Sequence, residues 1–193
     1  MDSRKKDARA YRKQYRGPMS EKNELSLEIL REEDIPALVE TFNFPWTSLK
    51  ATQEKWEKYY AEQKANIRTV CIAKLQDEFV GYGSLLNISE YPNFNNDSIP
   101  EIHDVWVSEG HRGNGFGKRL VQYLEKMAHQ ENYKQIGIGV GLYKDYGHAQ
   151  KLYVHLGYVP DGLGVTYKYN SVVPGNSYPV DDDLVIWLKK DLP

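Results

Sequence analysis

Val105-Trp106-Val107-Ser108-Glu109-Gly110-His111-Arg112-Gly113-Asn114-Gly115-Phe116-Gly117-Lys118 reads as the end of a strand, a glycine-rich turn and the start of a helix. Glycines at 113, 115 and 117 permit positive φ and leave no Cβ between the backbone and a ligand. A helix that starts here presents unpaired N–H groups and the positive end of its dipole. Together these features predict an anion site suited to a pyrophosphate. Two common phosphate motifs do not fit. The Walker pattern fails because no glycine lies five residues before Gly117 and Arg119 stands where Ser or Thr is needed. The dinucleotide pattern fails because Gly113-x-Gly115 leads to Lys118, and Gly115-x-Gly117 leads to Leu120. What remains is Arg112-x-x-Gly115-x-Gly117.

Working outward, the chain alternates between strand and helix signals. Glu24–Leu30 alternates like a strand, and Asp34-Ile35-Pro36 looks like a helix start. A second helix spans about Thr52–Lys64. Ile67–Leu75 and Glu78–Leu86 read as strands of a hairpin turning at Gln76-Asp77. Asn93–Pro100 reads as a polar loop, and Pro100–Val107 as a strand. In the helix from about Gly115 to Gln130, Leu120, Val121, Leu124, Met127 and Ala128 share one face. Lys134–Val140 is a strand. Gly147–Leu156 is a helix closed by Gly157, and Val165–Asn170 and Leu184–Leu188 are the last strands. These elements predict an α/β fold.

Composition removes several classes. The 193 residues suit one domain, or one domain with a tail. A net charge of -2 argues against a general nucleic-acid binder. No run of 18 apolar residues exists, so no membrane span is expected. The first residues lack the apolar region of a secretory signal, and a cytoplasmic protein is expected. The lone Cys71 lies in a strand-like apolar run, which suits a buried structural thiol. Residues 1–22 hold eight Lys/Arg against three Asp/Glu, so this basic N-terminal arm stands apart from the domain at 23–193. The arm reads either as a solvated tail or as a contact for an anionic partner.

The loop and its surroundings resemble the GCN5-related N-acetyltransferase (GNAT) superfamily. Arg112-x-x-Gly115-x-Gly117 matches that family's acyl-CoA pyrophosphate loop, and Val105-x-Val107 matches the strand before it. Ala149-x-x-Leu152-Tyr153-x-x-x-Gly157-Tyr158 matches the family's later helix at every stated position. The resemblance covers about residues 24–190. It implies a central mixed, twisted sheet of about seven strands with helices on both faces. It also implies that the strand ending at Val107 and the strand at Lys134–Val140 splay apart. Tyr146 departs from the pattern where relatives often carry Asn.

The resemblance further implies acetyl-CoA as cosubstrate, with no metal. Val105, Trp106 and Val107 would pair through their backbone with the pantetheine amides. Arg112, Gly113, Asn114, Gly115, Phe116, Gly117 and Lys118 would bind the pyrophosphate, with Arg112 and Lys118 adding positive charge. The implied chemistry is transfer of acetyl to a primary amine, whose proton must be taken by a base. Glu101, His103 and Asp104 lie on the strand before the loop. Period-2 alternation places Glu101 and His103 on one face and Asp104 on the other, unless a bulge intervenes. Acidic residues at the offsets of Glu101 and Asp104 serve as base in different relatives, so both stand as candidates. A structural role competes for Asp104, and a packing role for His103. Tyr153 matches the tyrosine that protonates the departing thiolate; a plain core aromatic is the competing reading. An N–H near Val107 would hold the oxyanion.

For the acceptor, Asp181-Asp182-Asp183 could attract a polycation or simply form a solvated turn. Phe44, Trp46, Trp56 and Tyr59 could wall the acceptor pocket or belong to the core. The expected partner is a small-molecule or peptide amine, with no nucleic acid and no membrane, for a monomer or homodimer. Two further readings remain: a non-catalytic acyl-CoA-binding regulator on the same fold, and a ribosome- or nucleic-acid-associated protein using the basic arm.

Overall fold

A computed structural model describes residues 25–193. The basic arm at 1–22 lies outside the described residues. The strands are β1 (Leu25–Ile29), β2 (Arg68–Leu75), β3 (Glu78–Leu86), β4 (Glu101–Val107), β5 (Gln135–Gly141), β6 (Val159–Tyr167), β7 (Asn170–Ser171) and β8 (Leu184–Asp191). The helices are α1 (Ile35–Thr41), α2 (Leu49–Lys64), α3 (Pro92–Asn96), α4 (Phe116–Gln130) and α5 (Gly147–His155). One mixed sheet runs β1-β2-β3-β4-β5-β8-β6-β7. Among the described residues it has eight strands, in keeping with the expected mixed sheet of about seven; the short extra one is the two-residue β7, formed where the chain after β6 folds back.

The apolar pattern explains the layers. Leu120, Val121, Leu124 and Ala128 of α4 pack with Tyr153 of α5 on one face of the sheet, against Ile102, Ile136, Ile138 and Val140. Leu38 and Phe42 from α1 and its end join Trp56 and Tyr59 of α2 on the other face, against Val70, Ile72 and Tyr82. Burial makes Cys71 fully inaccessible and pushes its thiol up to about 12, as a structural thiol should behave.

The supposed polar loop at Asn93–Pro100 holds the short helix α3. Its Phe94 is buried with Tyr91, Ile99 and Trp187 in a third apolar cluster. The sequence of β5 makes room for it. Gly137 and Gly139 leave the strand without side chains there, and a Cβ would stand 2.1 Å from Phe94 and 2.9 Å from Trp187. Ile136, Ile138 and Val140 fill the opposite face.

Candidate active site

β4 and β5 are parallel neighbours only at Glu101↔Gly137 and Ile102↔Ile138. Beyond those pairs they part, as expected for a splayed pair. β4 keeps its other neighbour, since Gly81↔Val107 and Tyr82↔Trp106 pair on the β3 side. Ser108 N donates to Val80 O at 2.9 Å. Hydrogen-bonding direction alternates along a strand, so Val107, between Trp106 and Ser108, turns its N–H and C=O toward the gap.

The turn after β4 is shaped by its glycines. Gly115 is the N-cap of α4 at φ 82, and Gly113 sits at φ 80. No heavy atom lies within 4 Å of where a Cβ would stand at either position, so the space above them is open. The first amide to find a carbonyl is Arg119 N, bonded to Gly115 O at 3.0 Å. The amides of residues 113 to 118 donate to no partner among the described residues. Six unpaired N–H groups at a helix start fit a pyrophosphate. Lys118 is exposed and joins no ion pair among the described residues, so its charge is available. Arg112 is partly committed: Nε donates to Val107 O at 2.9 Å and fastens the loop to the strand end.

The β4 carboxylates differ in surroundings. Glu101 is buried, and Ser89 Oγ donates to its Oε2 at 2.5 Å. Burial pushes its carboxyl up to about 7, against the opposing pull of Ser89 and Arg68; Glu90 adds to the rise. Its Oε1 makes no bond within the described residues and is not sealed from solvent. Asp104 corrects the alternation argument. Asp104 and Val105 together oppose Gly83 of β3, between the pairs Tyr82↔Trp106 and Ser84↔His103. This bulge, with Asp104 at φ 53, turns Asp104 to the same face as His103. There its Oδ2 lies 2.6 Å from Lys55 Nζ and accepts from Tyr59 OH at 2.9 Å.

Tyr153 lies near the end of α5. The chain leaves that helix through Gly157 at φ 91, with Gly157 N bonded to Val154 O and Tyr158 N to Tyr153 O. This capping pattern seats Tyr158 beside Tyr153, ring centroids 6.0 Å apart. Burial pushes the Tyr153 phenol up to about 12, and its hydroxyl has no partner among the described residues. It therefore stays protonated at neutral pH and is free to donate.

Other candidates are committed elsewhere. Asp182 accepts from Tyr143 OH and Tyr146 OH, Asp181 from Tyr167 OH, and Asp183 faces Lys168 at 3.9 Å. The acidic triplet pins its own loop. Tyr146 lays its ring against Gly141, where a Cβ would stand 2.5 Å away. Trp56 is wholly core. Phe44 stacks on the exposed Trp46 at 4.8 Å and meets Trp106 edge-on at 4.9 Å, forming an aromatic wall beside β4. Sequence reasoning missed Arg68, Ser89 and Lys55. Only Arg68 left a readable signal, as a charge in step with the inward-facing Val70 and Ile72. Among the described residues, no group of three or more His, Cys, Asp or Glu could hold a metal ion. No described helix is long and apolar enough to cross a membrane.

The profile of the acetyltransferase (GNAT) family matches residues 35–158. The chain belongs to the GNAT acetyltransferase family. This acetyltransferase is thus an acyltransferase of the EC 2.3.1 type, with acetyl-CoA as cosubstrate. No curated protein matches its sequence. Solved structures share its fold. A Vibrio cholerae spermidine N-acetyltransferase, in complex with CoA and spermine, is 18% identical at TM-score 0.62, over 87% of this chain and 95% of that one. RimL, a ribosomal L7/L12 α-N-protein acetyltransferase in complex with coenzyme A, is 15% identical at TM-score 0.64, over 91% and 97%. An N-acetyltransferase from Staphylococcus aureus Mu50 is 15% identical at TM-score 0.63, over 88% and 99%.

Proposed function

We propose that this acetyltransferase transfers acetyl directly to a primary amine of a small molecule or peptide, with Glu101 as base and Tyr153 as acid. Acetyl-CoA supplies an activated thioester. The amides of residues 113 to 118, with Lys118, hold its pyrophosphate, and the open edge of Val105–Val107 holds the pantetheine arm. Glu101 Oε1 takes the proton of the incoming ammonium, so that the nitrogen lone pair becomes available. The Val107 N–H, turned into the gap between β4 and β5, meets the negative charge that grows on the acetyl oxygen. Tyr153 gives its phenolic proton to the sulfur as the C–S bond breaks, and the second proton of the attacking nitrogen, released as the amide forms, restores the phenol.

One observation carries this reading: a carboxyl that titrates near neutrality, with one oxygen free, where β4 and β5 begin to part. A base works best when its pKa lies near the working pH. Asp104 is the weaker candidate because Lys55 already neutralises it. The structural neighbours act on a polyamine and on a protein N-terminus, and both are primary amines within the proposed class. The test is thiol release from acetyl-CoA against a panel of diamines, amino acids, aminoglycosides and short peptides. Turnover with at least one amine, lost in Glu101→Gln, is expected. An inert panel alongside full acetyl-CoA binding would instead favour an acyl-CoA-binding regulator.

A further inference from the structure

Arg68 is a cation buried in the sheet, beneath α2, and the reaction described above does not use it. Its side chain is 6% exposed. Four contacts hold the guanidinium. Nε donates to Glu62 Oε2 at 2.7 Å, and Nη1 donates to Ser84 Oγ at 2.6 Å. The group lies 4.0 Å over the ring of Tyr59. Nη1 also lies 3.2 Å from His103 Nδ1. Ser84 continues the chain, donating from Oγ to His103 O at 3.0 Å. Both the backbone and the ring of His103 are therefore tied to one fixed cation.

A guanidinium has five N–H groups and no lone pair, and it does not lose its proton. Its contact with Nδ1 is a hydrogen bond only if Nδ1 carries the lone pair. The proton of a neutral His103 then sits on Nε2. We propose that Arg68 is a positioning residue that fixes this tautomer and makes His103 a hydrogen-bond donor, not a base, on the acceptor side of β4.

The surroundings agree. Arg68 from β2 and Lys55 from α2 oppose a charged imidazole; Asp104 from β4 and Glu90 from the β3–β4 loop favour one. Burial, the largest influence, works with the two cations and holds the ring below its usual range. Glu62 from α2 is bonded to Arg68, Tyr59 is bonded to Asp104, and Glu101 shares the face of His103. His103 Nε2 has no partner among the described residues and is not sealed from solvent.

This assigns distinct roles to three neighbouring groups. Asp104 is paired, His103 donates, and Glu101 accepts. Residues two apart on a strand lie about 6.6 Å apart. Their side chains share one face, so a water that accepts from His103 Nε2–H and donates to Glu101 Oε1 would join the two. The placement of that water rests on the proposed acetyl transfer. The tautomer does not, so the two can fail separately.

The test is a long-range 1H–15N spectrum of the full chain, with His103 assigned by loss of its signals in His103→Asn. The expected result is a ring that is neutral and protonated on Nε2 at pH 7, with its titration displaced below that of a free histidine. An imidazolium at pH 7, or a proton on Nδ1, would overturn the proposal. In Arg68→Met/Glu62→Gln, which removes cation and counter-charge together, His103 should titrate at higher pH than in wild type or populate both tautomers. Unchanged behaviour in that folded variant would overturn the role of Arg68. If the variant does not fold, the wild-type spectrum decides alone. Adding acetyl-CoA to the same sample and following the Gly115 amide tests the cosubstrate site independently.

Discussion

Glu101 is ordinary in type and unusual in place. Its folded pKa of about 7 stands above the usual 4.5, so the folded protein binds its proton more tightly than the unfolded chain does. Any stability it contributes is present below pH 4.5 and is lost as pH rises through about 7. Glutamine mimics the protonated form. Glu101→Gln should therefore match wild type near pH 4.5 and exceed it above pH 7, by up to about 3 kcal/mol in denaturant titrations. A gap independent of pH would show that Glu101 is not desolvated. With Glu101 as the proposed base, catalysis should run the other way, because only the ionised carboxylate accepts a proton. The wild-type rate should fall below about pH 7, and Glu101→Gln should remove that limb and slow turnover about 10²–10⁴-fold. Tyr153 should separate chemistry from binding. Tyr153→Phe keeps the ring that packs on Tyr158 and removes the proton. It should lower kcat by about 10²-fold or more and leave acetyl-CoA affinity within about twofold; a wild-type kcat would remove its role as acid.

The elements show how far the sequence could be read. The strand, turn and helix through 105–118 were legible because glycines at 113 and 115 mark backbone that only glycine adopts freely. The helix ending at Gly157 was legible for the same reason. The bulge in β4 was not, since its positive φ falls on Asp104, a residue with no glycine-like mark. That one extra residue brought Asp104 to the face of His103. Helix α3 was hidden among asparagines, and its anchor Phe94 only makes sense beside Gly137, more than forty residues later. Arg68 and Ser89 gain their meaning from partners far along the chain, which local pattern does not carry. The glycine face of β5 gives a direct test. Gly137→Ala places a methyl 2.1 Å from Phe94 and should cost roughly 1–3 kcal/mol in urea titrations. Gly110→Ala, with open space around it, should change stability by less than about 0.5 kcal/mol. Equal effects would mean that Phe94 does not sit on β5.

Across the whole molecule, the sheet separates two kinds of work. The α4 and α5 side carries the proposed anion loop and Tyr153. The α1 and α2 side supplies Glu101, His103, Asp104 and the aromatic wall of Phe44, Trp46 and Trp106. The parting of β4 and β5 is where the two sides meet. Acetyl-CoA bound only by the folded chain should raise its unfolding free energy by about 2.7 kcal/mol at a hundredfold excess over Kd, seen as a rise in Tm. The most direct test is calorimetric titration of coenzyme A into wild type and Gly115→Asp. The aspartate would put a carboxylate and a Cβ at φ 82, beside the six free amides. One site per chain in wild type, abolished by the substitution, is the expected result. No heat in wild type, or equal affinity in the variant, would contradict a diphosphate held by this turn.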